Sequence, residues 1–588
     1  MAQVSIKSQS STSPTANKMG QTVEVPLSDT IPIIFIPGIM GSNICDLAGN
    51  PVWRIGNSAL PLGTVWDRMQ KSPAVLQKEL DPEKTRVDTS GTIKVDPRLK
   101  LTEKTLRERY WGTAHWASYG GILTFLQLHL NNIALSKPSP PTMNKVIGDA
   151  MDMRAERMLY TRKLEQYKKS TEYVDSWLSL LNNQEIQTWH PQQLPFINIV
   201  QKDIEHLKAF HFPVYALGYN WLQSSEIGAA IVAEKLDKIK KEYGGRFHKF
   251  IVVTHSMGGL LGRRLVQLRS SDIAGVVHGV MPAEGAPAVY RRLVAGSVEG
   301  SDVESFATGL VLGKDAEHTT AVLANAPGGL ELLPSRNYNY GKPWLFLKGT
   351  GYQGERDIVL NEVRLPKSDP YEEIYKADKV WWEMVKEELI DPANIIKSKN
   401  PGKKIKDVYF KKIEKVKEFH GKIANKYHPH TYVNYGDDSK LIGFGSLTWT
   451  LDKPLKGLTP LQIKMLPRVS KKEIDAYNNQ VYKDAAYMGQ GGSSYIKAGV
   501  KQNNGLRYIK LTNGKFGTFK ISDKNSTGDG TVPWQSGCAP LNKVGVKQTF
   551  KMTGFNHQGS YNNDHVRRSV LYSIVKIIKD NNIQPKFR

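Results

Sequence analysis

The chain has 588 residues, of which 40% are hydrophobic, 23% charged and 9% aromatic, an ordinary globular balance that excludes a wholly disordered protein. Eighty Lys and Arg against 56 Asp and Glu leave a formal charge of +24, which attracts nucleic acid, anionic lipid or an acidic partner without choosing among them. Only two cysteines are present, Cys45 and Cys538; they exclude a disulfide scaffold and a Cys-based zinc site, and they allow one bridge that the sequence neither requires nor forbids.

Residues 1–30 are polar, rich in Ser, Thr and Gln, and lack the apolar core of a secretory signal. They read as a disordered terminus of a protein made in the cytoplasm without a signal peptide. Ile31–Ile36 is almost wholly apolar, the pattern of a strand buried on both faces. It runs into the turn Pro37-Gly38-Ile39-Met40-Gly41-Ser42. The apolar run Ile31–Met40 reaches half of the roughly 20 residues that a spanning helix needs. Further strands are expected at Val214–Leu217, Phe250–Val253, Val276–Val280 and Trp344–Leu347. Helices are expected at Ile227–Lys241, stopped by Gly244-Gly245, and at Leu260–Leu268. Strands alternating with helices predict an α/β fold with a mainly parallel sheet, spanning 31–588. Two stretches interrupt it and read as cap or lid insertions: about 45–205, rich in aromatics, and about 355–525, rich in Lys with turns such as Gly489-Gln490-Gly491-Gly492.

The strongest chemical signal is Thr254-His255-Ser256-Met257-Gly258-Gly259. It fits G-x-S-x-G with Thr in place of the first Gly. A β-branched strand precedes it and an amphipathic helix follows, the setting in which a sharp turn exposes a serine hydroxyl above a sheet. The larger Thr254 is expected to open that turn slightly. His255 is expected to be structural, its side chain pointing away from Ser256 Oγ.

A serine hydroxyl needs a base before it is a useful nucleophile, and this elbow orders its partners Ser, acid, His. Asp529, in Gly528-Asp529-Gly530-Thr531-Val532-Pro533, is the candidate acid. Of the 14 histidines only His557 and His565 follow it. His557 comes after an apparent strand, Gln548–Met552, whereas His565 opens an amphipathic helix; a loop at a strand end suits a base, so His557 is preferred. An oxyanion needs two preoriented N–H donors. These are expected from Met257 and from the loop after the first strand, at Ile39, with Met40 as the next choice.

Together these three segments resemble the α/β-hydrolase lipases related to lecithin:cholesterol acyltransferase and GPI-inositol deacylase. Trp111-Gly112-Thr113-Ala114-His115 with Ser118-Tyr119-Gly120, Glu284-Gly285-Ala286-Pro287 with Tyr290-Arg291-Arg292, and Val322-Leu323-Ala324-Asn325-Ala326-Pro327-Gly328-Gly329 are similar to bacterial lipases of this group. The nearest are antibacterial phospholipase effectors of the type VI secretion system. The resemblance covers about half the chain. It implies a phospholipase A, of A1 type, acting through Ser256, Asp529 and His557, without a cofactor, although an activating or structural Ca2+ stays open. It also implies delivery to the periplasm of a target bacterium, a cognate immunity protein, and a secretion spike protein as carrier. A triacylglycerol lipase, a soluble carboxylesterase and a non-catalytic binding protein on the same scaffold are the competing readings. The aromatics Trp53, Trp66, Tyr110, Trp111, Trp116 and Tyr119 are candidates to line an acyl groove.

Lys397–Lys426 carries 11 lysines against Asp407, Glu414 and Glu418, with Ile405, Tyr409, Ile413, Val416, Phe419 and Ile423 at helical spacing. A basic amphipathic helix fits an anionic lipid surface; it equally fits a helix packed on the core with a solvated outer face. Nucleic acid is disfavoured, since no basic-aromatic motif, zinc spacing or P-loop is present.

Overall fold

Six short apolar segments set the frame. They are β1 (Ile33–Ile36), β2 (Val214–Ala216), β3 (Phe250–His255), β4 (Ile273–Gly279), β5 (Thr431–Gly436) and β6 (Val546–Met552). They pair in the order β6-β5-β4-β3-β1-β2, every pair parallel. This computed structural model describes residues 28–54, 71–136, 171–296, 315–353, 357–452, 458–470, 505–510 and 516–586, the backbone of 5–11 and 20–26, and a few single positions near 161–168, 455–456 and 472–476.

Helices cover both faces, which is why β1 and the Phe250–Val253 stretch of β3 are apolar throughout rather than alternating. Ile34, Ile36 and Val252 face α2 (Ser225–Tyr243) and α3 (Gly258–Leu268) through Val232, Leu236, Leu261 and Leu265. Ile33, Phe35, Ile251 and Val253 face α1 (Trp116–Asn131) and α5 (Asp564–Asp580) through Ile122, Leu126, Val570 and Ile574. The strand order reverses at β1 and β3, and the carboxyl edge of such a switch point is where α/β sheets bind ligands.

The structure redraws both insertions. The first is not all cap, because α1 lies within 45–205 and forms one wall of the core. The second contains a strand of the central sheet: β5, buried along its whole length, sits at 431–436. Its sequence, Thr-Tyr-Val-Asn-Tyr-Gly, is too polar to stand out beside the Ile-rich strands. Trp344–Leu347, expected in the central sheet, belongs instead to a second, mixed sheet of Leu345–Gln353, Asp357–Leu365, Leu447–Leu451, Leu506–Lys510 and Phe516–Ile521. Leu345 and Leu347 are buried while Phe346 and Lys348 are only partly so, the period-2 signature of a strand with one covered face. This sheet packs Leu345, Leu347, Trp449 and Phe519 into the same core as α2 and α3.

At the N-terminus, where disorder was expected, Ser5–Ser11 and Gly20–Pro26 pair as antiparallel strands, and Asp29 and Thr30 are buried beside Phe210 and His211. Cys45 and Cys538 are both buried and free. Gly489-Gln490-Gly491-Gly492 lies outside the described residues.

The Lys-rich segment forms α4 (Ile405–Ile423), and its apolar stripe of Tyr409, Ile413, Val416, Phe419 and Ile423 is buried against the protein. Several of its lysines are tied inward: Lys406 to Asp378 and Glu383 at 2.6 and 2.7 Å, Lys412 to Asn325 Oδ1 at 2.7 Å, Lys417 to Asp369 at 3.0 Å. The structure thus takes the packed-helix reading, and only outward lysines such as Lys403, Lys404, Lys411 and Lys415 are exposed. Among the described residues no helix is long and apolar enough to cross a membrane.

Candidate active site

Ser256 stands at the end of β3, before α3, with φ of +51°. A non-glycine residue held there is strained, and such strain persists only where the surroundings fix it. Here Ser256 N–H donates to Gly279 O at 2.9 Å and Ser256 O accepts from Gly259 N–H at 2.8 Å. A Cβ on Gly258 would lie 2.4 Å from Pro37 O; only glycine lets the elbow approach the loop after β1 so closely.

Thr254, larger than the glycine it replaces, is accommodated by its neighbours. Its hydroxyl bonds His278 Nδ1 at 2.8 Å, and its methyl is directed at Gly262 of α3. The extra volume is absorbed one turn along the helix.

His557 Nε2 lies 2.8 Å from Ser256 Oγ, and His557 Nδ1 lies 2.7 Å from Asp529 Oδ2. The carboxylate can only accept, so Nδ1 carries the proton and Nε2 is left to accept from the serine. Asp529 is 1% exposed. Its other oxygen accepts from the N–H groups of Thr531 and Val532 at 3.0 and 2.7 Å, so the Asp-Gly turn and the histidine contact use separate oxygens. His557 N–H also donates to Asp529 O at 2.8 Å. The structure therefore brings together the three side chains named from sequence. His565 is placed elsewhere: half exposed at the start of α5, it accepts from Trp189 Nε1–H at 3.3 Å and is not among the residues lining the cavity at Ser256.

Asp529 reaches the site by an indirect route. β5 ends at Gly436, and the residues directly after it are Asp437 and Asp438. Asp437 pairs with Lys551 at 2.8 Å, and Asp438 accepts from Gly554 N–H at 2.9 Å. The chain then leaves for the second sheet and returns where Ser526–Gly528 pairs antiparallel with Asp438–Gly443. That return sets Asp529 against Gly436, whose missing Cβ would fall 2.8 Å from Asp529 Cβ.

The loop after β1 is a tight turn, closed by Gly41 N–H to Gly38 O at 3.1 Å. Among the described residues, no acceptor is found for the N–H of Ile39 or of Met257. Trp111 to His115 secures this loop from outside. Asn43 Nδ2 donates to Gly112 O and Ala114 O, His115 N–H donates to Gly41 O, and Thr113 Oγ1 bridges Ala216 O and Gly218 N–H.

Ser256 opens onto a cavity of about 390 Å³. Its lining combines apolar Ile39, Ala286, Val289, Leu323 and Leu332 with polar His115, Ser118, Arg292, Asn556 and Gln558. Of the proposed aromatic lining, Trp53 takes part and donates from Nε1 to Met40 O at 2.7 Å. Trp111 is a core residue bonded to Val214 O, and Trp116 packs on it. Tyr110 and Tyr119 do not line the cavity, and Trp66 lies outside the described residues. Two motifs noted in the sequence contribute to the apolar lining. Gly285, with φ of +78°, leaves room for Leu333 O, and Gly328 packs on the backbone of Trp221 and Gln223. Among the described residues, no group of three or more His, Cys, Asp or Glu side chains is arranged to hold a metal ion.

The fold has a solved counterpart. The structure of the Tle4–Tli4 complex is similar to this chain at 27% identity, covering 94% of this chain and 99% of that one, with a TM-score of 0.68. The chain has the α/β-hydrolase fold. The likeness agrees with the resemblance to type VI lipase effectors read from the motifs. Two structures of phospholipase PlaB from Legionella pneumophila, one with thio-NAD, match at 13% and 12% identity over 41% and 62% of this chain and 66% and 77% of theirs. Their TM-score of 0.13 is too low to bear on this chain's function. No protein-family model and no curated protein matches the sequence.

Two functional features were not legible in the motifs. One is the pair Tyr119 and His255, buried behind the elbow. The other is Gly262, which lies outside the motifs and faces the methyl of Thr254 across the β3–α3 interface. A tyrosine four residues after His115 carries no signal until α1 is docked on the sheet.

Proposed function

We propose that this protein is a serine phospholipase of A type that cleaves an acyl ester of membrane glycerophospholipid, with A1 preference, and acts as a type VI secretion effector. The observation that carries the reading is the hydrogen-bonded line Ser256–His557–Asp529 at the mouth of an apolar cavity. In this reading Ser256 Oγ attacks the ester carbonyl as its proton passes to His557 Nε2. Asp529 holds the imidazole tautomer and stabilises the imidazolium. The N–H groups of Ile39 and Met257 receive the oxyanion. Collapse expels the lysophospholipid alkoxide, which takes the proton from His557. Water, deprotonated by the same histidine, then releases the fatty acid.

An acyl chain fits the apolar lining of the cavity, while His115, Ser118 and Gln558 suit the glycerol end. The similar Tle4 is solved in complex with Tli4, and that supports a cognate immunity partner for this chain; the effector reading then puts its action in the periplasm of a target cell. The outward lysines of α4, within a chain of +24, favour an anionic membrane surface.

Lipid mass spectrometry on mixed glycerophospholipid vesicles tests the reading. Wild type should release fatty acid and 2-acyl lysophospholipid, and Ser256→Ala should release neither. Turnover of a soluble short-chain ester with intact vesicles would indicate a carboxylesterase instead.

A further inference from the structure

Behind the elbow lies a second chain of hydrogen bonds, separate from the Ser–His–Asp line. Gly38 N–H donates to Tyr119 Oη at 3.1 Å, Tyr119 Oη lies 3.0 Å from His255 Nδ1, and His255 Nε2 lies 3.0 Å from the backbone oxygen of His557. Tyr119 and His255 are each 1% exposed.

The direction of every bond follows from one end. The His557 carbonyl can only accept, so His255 Nε2 carries a proton. His255 is sealed from water, and burial pushes its pKa down to about 3, so its ring is neutral and Nδ1 is a lone-pair acceptor. Tyr119 must then donate to Nδ1, which leaves its oxygen to accept from Gly38 N–H. No member is free to rotate without breaking a partner, and leaving a buried polar group unpaired is costly.

The chain joins four separate segments: the loop after β1 that carries Ile39, α1, the residue before Ser256, and the backbone of His557. Phe35 packs on the Tyr119 ring at 5.1 Å between centroids, and the His255 ring lies 5.3 Å from it. Aromatic packing holds the ring in place, so the hydroxyl alone supplies the link.

We propose that Tyr119 and His255 are positioning residues that lock the oxyanion loop to the base, fixing the Ile39 N–H relative to His557 Nε2. This rests on the esterase reading of Ser256. Tyr119 lies outside the cavity lining, and His255 borders the cavity beside Ser256 with both ring nitrogens engaged by protein partners; they set the distance across which transition-state charge is received, where displacements near 0.5 Å matter.

The test is Tyr119→Phe, which keeps the ring and removes only the hydroxyl, with His255→Gln as a second variant. On a soluble p-nitrophenyl ester, kcat of Tyr119→Phe should fall ten- to hundredfold with KM within threefold of wild type and Tm within a few degrees. Affinity for a trifluoromethyl ketone, which forms an oxyanion adduct on a serine, should fall in step with kcat/KM. Affinity for a fatty acid, which forms no adduct, should not change. The double variant should be no slower than the slower single variant. Unchanged kcat, or a fall in activity explained by lost Tm and equal losses for both ligands, would overturn the proposal. A fluorophosphonate probe separates the two readings: if wild type and Ser256→Ala label alike, the esterase reading itself is wrong; if Ser256→Ala does not label and Tyr119→Phe labels at the wild-type rate, only the positioning role is wrong.

Discussion

The Cγ2 methyl of Thr254 lies 3.0 Å from the point where a Cβ on Gly262 would stand. The two residues share one space between β3 and α3, and this sharing lets a threonine replace the glycine usual at the start of the elbow. Gly262→Ala should therefore destabilise the protein by about 1–3 kcal/mol through overpacking and lower kcat by shifting the helix that follows Ser256. Thr254→Ser keeps the hydroxyl on His278 and removes the methyl, so Thr254→Ser/Gly262→Ala should recover most of the loss. Denaturant unfolding of the four proteins gives the coupling directly; purely additive effects would show that the two sites do not share space.

The Ser256–His557–Asp529 line predicts that Ser256→Ala, His557→Ala and Asp529→Asn each lower kcat by about 10⁴-fold or more with Tm little changed. Combining them should cost little beyond the worst single change, because the three act as a unit. His565→Ala should stay within twofold of wild type. Steady-state kinetics on a soluble ester decides this, and an inactive His565→Ala beside an active His557→Ala would reverse the assignment.

Acid sensitivity should come from the interior. Burial pushes His129, His211, His420 and His428 down to about 4, and His255 and His278 down to about 3. A histidine whose folded pKa lies below its unfolded value of about 6.5 contributes stability that is present above pH 6.5 and lost as pH falls toward 4 and 3. Glu331 opposes this: burial raises it from 4.5 to about 7, so its contribution improves as pH falls through that window. The histidines outnumber it. Tm should fall from pH 6.5 to 4, with a net uptake of more than one proton on unfolding, and a Tm that is flat or rising over that range would contradict the sign.

Lysines within one helix should behave in two ways. Lys406 is 5% exposed and pairs with Glu383, itself 4% exposed. Lys406→Ala leaves a buried carboxylate with Arg468 as its remaining ion-pair partner at 2.6 Å, and should cost about 3 kcal/mol. Reversing the exposed Lys403, Lys404, Lys411 and Lys415 to Glu should leave Tm and soluble-ester turnover unchanged. Binding to anionic vesicles should weaken by about 1 kcal/mol per lysine at low salt, less at high salt. Co-sedimentation at two ionic strengths reads this out; equal binding by the variant and wild type would remove the helix from the membrane surface.

Local chemistry made much of this protein readable from its sequence. The Ile-rich β1, the small-Ser-x-Gly turn after a β-branched strand, and the glycines beside Asp529 each state their own geometry, because backbone sterics act between neighbours in the chain. The choice of His557 over His565 was also legible, since a base must sit on a loop at a strand end and His565 opens a helix. Long-range pairing decided the rest. Strand β5 is too polar to be recognised alone and becomes a core strand only between β4 and β6. Trp344–Leu347 is apolar enough for either sheet, and its partners assign it. Asp437 and Asp438 directly follow β5, yet Asp529 meets His557, because the excursion through the second sheet closes on itself at Ser526–Gly528. The Tyr119–His255 chain likewise exists only once α1 is docked behind the elbow. A turn is fixed by the residues within it, whereas a partner across the sheet is fixed by how the whole chain closes.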